Sequence, residues 1–267
     1  MALAIMYRQV MRVKPDAWNR FLEVEQKLDA AEVKAGHPLP RHYRALFGGE
    51  AADTRVTARI YESYADFAAL LAKRYFDPEL QKLDAEKYCL LEWERDELYY
   101  LDSGSPVPRW MQSISRKPFD QTHIQCAVPR PDPIKLDAET VRKNIEEGKL
   151  RILYRHIQHV PRDRWAEKME QERLSDEVEI RQGNPTPLRY RSMHSPEHSQ
   201  TRVIEREYDS FEDLCKICEG FFAESSPADQ AVMDAECRRQ DFFTWEREEI
   251  YIVDSDSYTP DWMTQST

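Results

Sequence analysis

An internal duplication constrains this chain more than any other feature of its sequence. A shift of 147 residues, from position 7 to position 154, aligns an early part of the sequence with a late part in the same order. The aligned segments include Tyr7-Arg8 with Tyr154-Arg155, Tyr43-Arg44 with Tyr190-Arg191, and Thr54-Arg55-Val56 with Thr201-Arg202-Val203. This period is far longer than the roughly 20–50 residues of solenoid repeats. The sequence therefore predicts two copies of one domain.

Further along, the shift changes to 152 residues, from position 93 to position 245. It then aligns Trp93-Glu94-Arg95 with Trp245-Glu246-Arg247. The second copy thus carries a net insertion of five residues, which we place near the loop-like Ser225-Ser226-Pro227. The predicted repeats span residues 1–115 and 148–267. Residues 116–147 form a proline-containing linker with one short helix, which begins at Asp137 and ends at Gly148.

Composition excludes several classes of function. The chain has 267 residues, a net charge of −11 and seven glycines, none of which form a phosphate-binding loop. An acidic chain repels polyanions, so nucleic acid is not an expected partner. The mean hydropathy is −0.76, and no apolar run approaches the roughly 20 residues of a membrane helix. The apolar opening segment is too short for an export signal, so we expect a cytoplasmic protein without membrane contact.

The hydrophobic period switches between 2 and 3.6 in the same order within each copy. In the first copy the predicted elements are a strand over Leu3–Val13, a helix opening at Pro15-Asp16, strands over His42–Phe47 and Arg55–Tyr61, and a second helix capped by Ser63. The segments Tyr88–Trp93 and Leu98–Leu101 follow, either as one bent strand or as a hairpin. The order β-α-β-β-α-β is that of a ferredoxin-like unit, so the predicted fold class is α+β.

At this point the chain resembles the dimeric α+β barrel superfamily, which includes antibiotic-biosynthesis-monooxygenase-like and NIPSNAP-like domains. The resemblance rests on the element order, on the opening segment Tyr7–Pro15 and on the passage from strand to helix over Arg55–Ser63. It implies that the tandem ferredoxin-like domains pack their sheets together as a pseudo-dimeric barrel made by one chain. It also implies a range of activities, since the superfamily spans haem-linked enzymes, cofactor-independent oxygenases, isomerases and domains without known activity.

Arginine and tyrosine side chains recur on one face of the third strand in both copies. The candidate ligand-binding residues on this face are Arg55, Arg59, Tyr61, Arg202, Arg206 and Tyr208. Arginine offers paired donors to a carboxylate or phosphate, so this face predicts an anion-binding cavity between the sheets. The alternative is that the arginines form cross-strand pairs with glutamates on a solvated face of the sheet.

Two further repeated positions are candidates for the same cavity. Tyr43 and Tyr190 lie on the second strand, where alternation places each tyrosine and the arginine after it on opposite faces. Trp93 and Trp245 are the other pair, either as contacts to a ligand or as packing anchors. The adjacent Glu94 and Glu246 are general bases if buried, and solvated or paired with arginine otherwise.

Neither a metal nor a cofactor is expected. Cys215 and Cys218 form the one C-x-x-C of the chain, and a structural zinc site needs four ligands, so packed thiols are the alternative that we favour. His194 and His198 have a metal-binding spacing for a helix, but Pro196 indicates a loop. No histidine stands out as an axial haem ligand.

These observations lead to two functional hypotheses. The first is a site for a small anionic or aromatic molecule between two packed sheets, in a binding module or in an oxygenase- or isomerase-like enzyme that needs no cofactor. The second is a structural or protein-interaction module without a ligand cavity. We expect the two repeats to pair within the chain, because the linker keeps them at high effective concentration. A homodimer is left open.

Overall fold

The computed structural model describes residues 4–47, 53–101, 150–194, 200–220 and 242–254, together with positions 143, 147, 229–232 and 234. In the first repeat the elements are β1 (Ile5–Val13), α1 (Trp18–Lys34), β2 (Arg41–Phe47), β3 (Thr54–Tyr61), α2 (Tyr64–Phe76), α3 (Pro78–Tyr88) and β4 (Leu91–Leu101). In the second they are β5 (Ile152–His159), α4 (Trp165–Arg181), β6 (Leu188–His194), β7 (Thr201–Tyr208), α5 (Phe211–Gly220) and β8 (Trp245–Val253).

The eight strands close into one antiparallel barrel in the order β1-β3-β2-β8-β5-β7-β6-β4. Two seams join the repeats: β2 pairs with β8, where Tyr43 lies opposite Val253, and β4 pairs with β6, where Tyr99 lies opposite Ser192. The expected pairing of the repeats within one chain is therefore confirmed. Barrel closure leaves no free sheet edge between the repeats.

The repeats are related by a half-turn about the barrel axis. Each strand of the first repeat and its equivalent in the second are four places apart in the closed order, and all neighbouring strands are antiparallel. Equivalent strands therefore run in the same direction, so equivalent residues of the two repeats lie at the same end of the barrel. The beginnings of β1 and β5, for example, share one end.

Alternation along each strand divides the side chains between the barrel interior and the helices. On β1, Val10 packs with Leu153 and Tyr251 of the second repeat, so its position faces the interior. The next residue, Met11, packs with Phe21 of α1 and therefore faces outward. Leu153 and Tyr251 are almost fully buried, and burying a side chain of this size contributes roughly 1.5–3 kcal/mol.

The predicted fold class, tandem ferredoxin-like units in a pseudo-dimeric α+β barrel, is confirmed. The Ser63 cap is also present, since its Oγ accepts a hydrogen bond from the Asp66 amide at 3.1 Å. Two local expectations are refined. The last segment of the first repeat is a single strand, β4, and it is preceded by the unpredicted helix α3, which Asp77 caps and Pro78 begins.

Of the predicted linker helix, Lys143 is described as helical and Glu147 donates to its carbonyl at 2.9 Å. The rest of that helix and the insertion near Ser225 lie outside the described residues, and the repeat boundaries stay predictions. Among the helices that are described, none is long and apolar enough to cross a membrane.

Candidate functional site

The centre of the barrel is filled by a buried arginine from each repeat. Arg8 on β1 donates from Nη1 to Glu97 Oε2 at 2.7 Å and from Nη2 to the Tyr251 hydroxyl at 2.7 Å. Glu97 belongs to the same repeat as Arg8, whereas Tyr251 belongs to the other. A single guanidinium therefore ties the two sheets together across the interior.

Arg155, the equivalent of Arg8, repeats this arrangement. It donates to Glu249 Oε2 at 3.1 Å and to the Tyr99 hydroxyl at 2.9 Å. Burial alone would raise the pKa of Glu97, but the nearby guanidinium groups of Arg8 and Arg155 outweigh it and hold this pKa at about 2. The carboxylate therefore stays ionised, and the centre of the barrel is a polar core of paired charges.

A cavity of about 90 Å³ lies at the end of the barrel where β1 and β5 begin. Both repeats line it, with Met6, Arg41, Tyr43, Ile60, Leu153, Pro185, Thr186, Leu188, Tyr190, Glu205 and Glu207. Since the barrel axis is also the pseudo-two-fold axis, several of these residues are equivalent pairs. Tyr43 and Tyr190 form one such pair, and Met6 and Leu153 another.

Two other equivalent pairs differ in polarity. Arg41 in the first repeat corresponds to Leu188 in the second, and Ile60 in the first corresponds to Glu207 in the second. Arg41 and Glu207 form an ion pair across the mouth of the barrel. Ile60 and Leu188 pack instead against a hydrophobic cluster that contains Tyr190. The half-turn thus relates a polar side of the cavity to an apolar side.

Tyr190 is fully buried, and its hydroxyl has no hydrogen-bond partner among the described residues. Burial raises the pKa of Tyr190 well above its ordinary value, and the carboxylate of Glu205 adds to the increase. The hydroxyl therefore stays protonated and available as a donor. A buried hydroxyl without a partner costs roughly 1–3 kcal/mol, so a bound molecule that supplied one would be favoured.

Glu205 adds a second ionisable group to this lining. It replaces Ala58, its equivalent in the first repeat, and its Oε1 accepts from Arg155 Nε at 3.0 Å. Burial raises the pKa of Glu205 despite this contact. Of the three carboxylates bonded to the central arginines, this is the one that also lines the cavity.

The four arginines predicted as anion ligands lie elsewhere, between the sheet and the outer helices. Arg55 donates to Glu25 of α1 at 2.9 and 2.6 Å, and Arg59 donates to Asp29 at 2.6 Å and to Glu32 at 2.6 Å. The five side chains in these contacts are mostly withdrawn from water. We call this set of contacts the first helix–sheet layer.

The second helix–sheet layer repeats the first. Arg202 donates from Nε to both oxygens of Glu172 at 2.9 Å, and Arg206 donates to Asp176 at 3.2 Å and also to Glu179. The three carboxylates of this layer are at the positions equivalent to those of the first layer. The expected arginine-rich face is therefore real, but it faces the helices rather than the cavity, and helix carboxylates already accept its hydrogen bonds.

The tyrosines on this face have partners there too. The Tyr61 hydroxyl lies 3.0 Å from Nδ1 of His37, and the Tyr208 hydroxyl donates to Asn184 Oδ1 at 3.2 Å. Trp93 packs against the interior cluster around Val10, and Trp245 is partly exposed and stacks on His159. Of the ten candidate ligand-binding residues, the cavity is lined by Tyr43 and Tyr190.

The other candidate groups are also placed outside the cavity. Glu94 accepts from Gln9 at 2.7 Å, and Glu246 lies 2.6 Å from Nε2 of His156. Burial raises the pKa of Glu94. Cys215 is a free thiol, and the described part of the chain contains no cluster of three or more residues that would hold a metal. His198 and the side chains of His194 and Cys218 lie outside what the structure describes.

Sequence reasoning missed Arg41, Glu205, Glu207 and the central arginines. One signal was available for the first three, because the repeats can be compared position by position. At some strand positions one copy has a charged residue where the other has an apolar one. Two such residues cannot share a packing role, so a role specific to one repeat is the better hypothesis. Arg41 with Leu188 and Glu207 with Ile60 show this pattern.

No protein-family model and no curated protein matches this sequence. Solved structures do match its fold. A protein from Fusobacterium nucleatum described as a "putative monooxygenase" has 8% identity and a TM-score of 0.57, with 96% of this chain and 97% of that chain covered. A second protein with the same description, from Lactobacillus acidophilus, has 3% identity and a TM-score of 0.54, with 97% and 100% covered. At these identities the similarity concerns the fold, which both proteins share over their whole length.

Proposed function

We propose that this chain binds one small molecule in the cavity at the end of its barrel. The unpartnered hydroxyl of Tyr190, buried in the cavity wall, is the observation that carries the proposal. At roughly 15 Å³ for each water position, 90 Å³ corresponds to about six positions. The cavity suits a molecule of about five or six non-hydrogen atoms, or one end of a longer molecule.

An oxygenase- or isomerase-like enzyme is the catalytic form of this proposal. Its support is the fold shared with the two proteins described as monooxygenases, together with Glu205. A carboxyl group with a raised pKa beside a cavity is suited to exchange a proton with a bound molecule. Fold similarity alone does not transfer a reaction, so the binding site is the primary proposal.

A structural module is the second candidate function, and the filled centre of the barrel favours it. Arg8 and Arg155 join the sheets and leave the barrel interior occupied, so the cavity is small beside the roughly 300–1,000 Å³ of common ligand sites. On this alternative, the duplication serves only to build a stable closed barrel.

Methyl NMR separates the two candidates. Labelled methyl groups of Met6, Ile60, Leu153 and Leu188 report directly from the cavity wall. We expect compounds of up to about eight non-hydrogen atoms to shift these resonances, and Leu153→Trp to abolish the shifts by filling the space. Leu22→Phe on α1, outside the cavity, is the matched control and should leave binding unchanged. If a broad screen shifts none of the four methyl groups, the structural module is the better description.

A further inference from the structure

We propose that the molecule bound in this cavity is a short neutral amphiphile that carries a hydroxyl group. The hydroxyl would lie between Tyr190 and the Arg41–Glu207 pair, and the carbon chain against Ile60 and Leu188. This inference rests on the proposed function and adds the chemical class and orientation of the ligand.

The cavity has a polar side and an apolar side because equivalent positions of the two repeats hold different residue types. In a symmetric barrel, a half-turn about the axis would present the same groups on both sides, and a ligand would have two equivalent orientations. Here the half-turn carries Arg41 onto Leu188 and Glu207 onto Ile60. One side is therefore charged and the other aliphatic, so an amphiphile has one favourable orientation in this cavity.

Hydrogen-bonding capacity points to a hydroxyl group. The Tyr190 hydroxyl has no hydrogen-bond partner among the described residues, and Glu207 Oε2, which lies 4.0 Å from Arg151 Nη1, likewise accepts no hydrogen bond there. Tyr190 and Glu207 line the same cavity, and the charge of Glu207 adds to the rise in the pKa of Tyr190. A hydroxyl can donate to a carboxylate while it accepts from a tyrosine, whereas an ether can only accept.

Charge balance indicates a neutral molecule. Arg41 and Glu207 are both mostly buried, and the attraction of this carboxylate helps to keep the Arg41 guanidinium charged. Either ion would meet charges of both signs, and since Arg41 is paired with Glu207 and Glu205 with Arg155, neither ion would gain a free counter-charge. Either ion would also lose hydration in a buried site whose own charges are already paired, which costs more than burial of a hydroxyl.

Four compounds of similar size test this class: 1-butanol, diethyl ether, butyrate and butylammonium. Titrations would follow the methyl resonances of Met6, Ile60, Leu153 and Leu188 in the full chain. Since one hydrogen bond that is lost with its partner left unsatisfied corresponds to about tenfold in affinity, we expect 1-butanol to bind about tenfold more tightly than diethyl ether. Butyrate and butylammonium should bind more weakly than 1-butanol.

Two variants locate the hydroxyl. Tyr190→Phe should reduce the affinity for 1-butanol several-fold and leave that for diethyl ether unchanged. The double variant Arg41→Leu with Glu207→Ile copies the apolar side onto the polar side, and should bring the two affinities to within about twofold. The dispersion of the methyl spectrum shows whether each variant is folded, and Tyr190→Phe remains an independent test if the double variant is not.

The possible failures are distinguishable. Equal binding of 1-butanol and diethyl ether by the unmodified chain, or tighter binding of either ion, would overturn the hydroxyl assignment and leave the proposed function intact. The assignment is also overturned if other compounds of the screen bind and none of these four does. If nothing at all shifts the cavity methyl groups, the proposed function itself is wrong.

Discussion

The two repeats match closely in the helix–sheet layers and differ at the barrel end. In the layers, equivalent arginines donate hydrogen bonds to equivalent helix carboxylates in both repeats. The pair Arg55 and Glu25, for example, corresponds to Arg202 and Glu172. At the barrel end, equivalent positions hold different residue types, as with Arg41 and Leu188.

This difference separates two kinds of buried charge. A pair that recurs at equivalent positions has a role that both repeats need, which is to attach a helix to its sheet. A charge present in one repeat alone is not required by both repeats, although Arg189, whose equivalent is His42, still pairs with Glu172 in the second layer. The comparison therefore assigns the recurring pairs to the architecture and the unmatched charges of the barrel end to the individual site. The predictions below test this division, first in the layers and then across both regions.

The largest effect is expected when one partner of a recurring pair is removed. Arg202→Leu leaves Glu172 among buried groups without its bidentate partner, and should lower the free energy of unfolding by about 3–5 kcal/mol. Arg55→Leu should have a similar effect in the first repeat. Urea unfolding measures both. Replacing both partners, as in Arg202→Met with Glu172→Met, also takes a carboxylate from Arg189 and Lys168, but it should cost clearly less than the sum of the single variants, and additive costs would contradict the assignment.

An intermediate effect is expected from pH, with opposite signs in the two regions. Burial alone would raise the pKa of Glu172, but Arg202 and Arg189 outweigh it and lower the pKa to about 2. A lowered folded-state pKa contributes stability above the ordinary value near 4.5, and this stability is lost as the pH falls from about 5 towards 2. The raised pKa of Glu205 has the reverse consequence, a loss of stability as the pH rises through its ordinary and then its folded-state value.

Glutamine variants measure this contrast. Glu172→Gln should destabilise the protein at pH 7 by a few kcal/mol and flatten its acid dependence. Glu205→Gln keeps an acceptor for Arg155 and should leave the stability at pH 7 unchanged or raise it slightly, because a neutral amide avoids the cost of ionising a buried carboxyl group. Urea unfolding between pH 3 and pH 8 checks both. Parallel pH profiles for the two variants would contradict the assigned pKa directions.

The smallest effect concerns the helix caps that the repeats share. Ser63 Oγ accepts from the Asp66 amide at 3.1 Å, and Ser210 Oγ accepts from the Asp213 amide at 3.0 Å. Ser63→Ala and Ser210→Ala should each cost about 1 kcal/mol in thermal unfolding. Glycine at either position should cost only about a few tenths of a kcal/mol. Clearly unequal costs for the two alanine variants would show that these matching contacts differ in energy between the repeats.

Local sequence signals predicted much of the fold and little of the site. Period-2 patterns and Ser63 located strands and a helix start, since these depend on neighbours in the chain. Helix α3 was missed because the pattern over Pro78–Tyr88 has a weak apolar face, with Leu80 and Lys87 as its buried residues. The arginines were sorted correctly onto one face of β3, but alternation alone does not say which face turns towards the helices.

The sequence by itself determined that the chain is a duplicated α+β protein, because local residue patterns reveal both the repeat and the order of its elements. The tertiary structure decided which strands form the two seams, which face of each strand turns inward, and which unlike residues meet at the barrel end. Those outcomes depend on closure of the barrel, which brings Arg41 to Glu207 and Arg8 to Tyr251 across long stretches of chain. No short-range pattern contains that information.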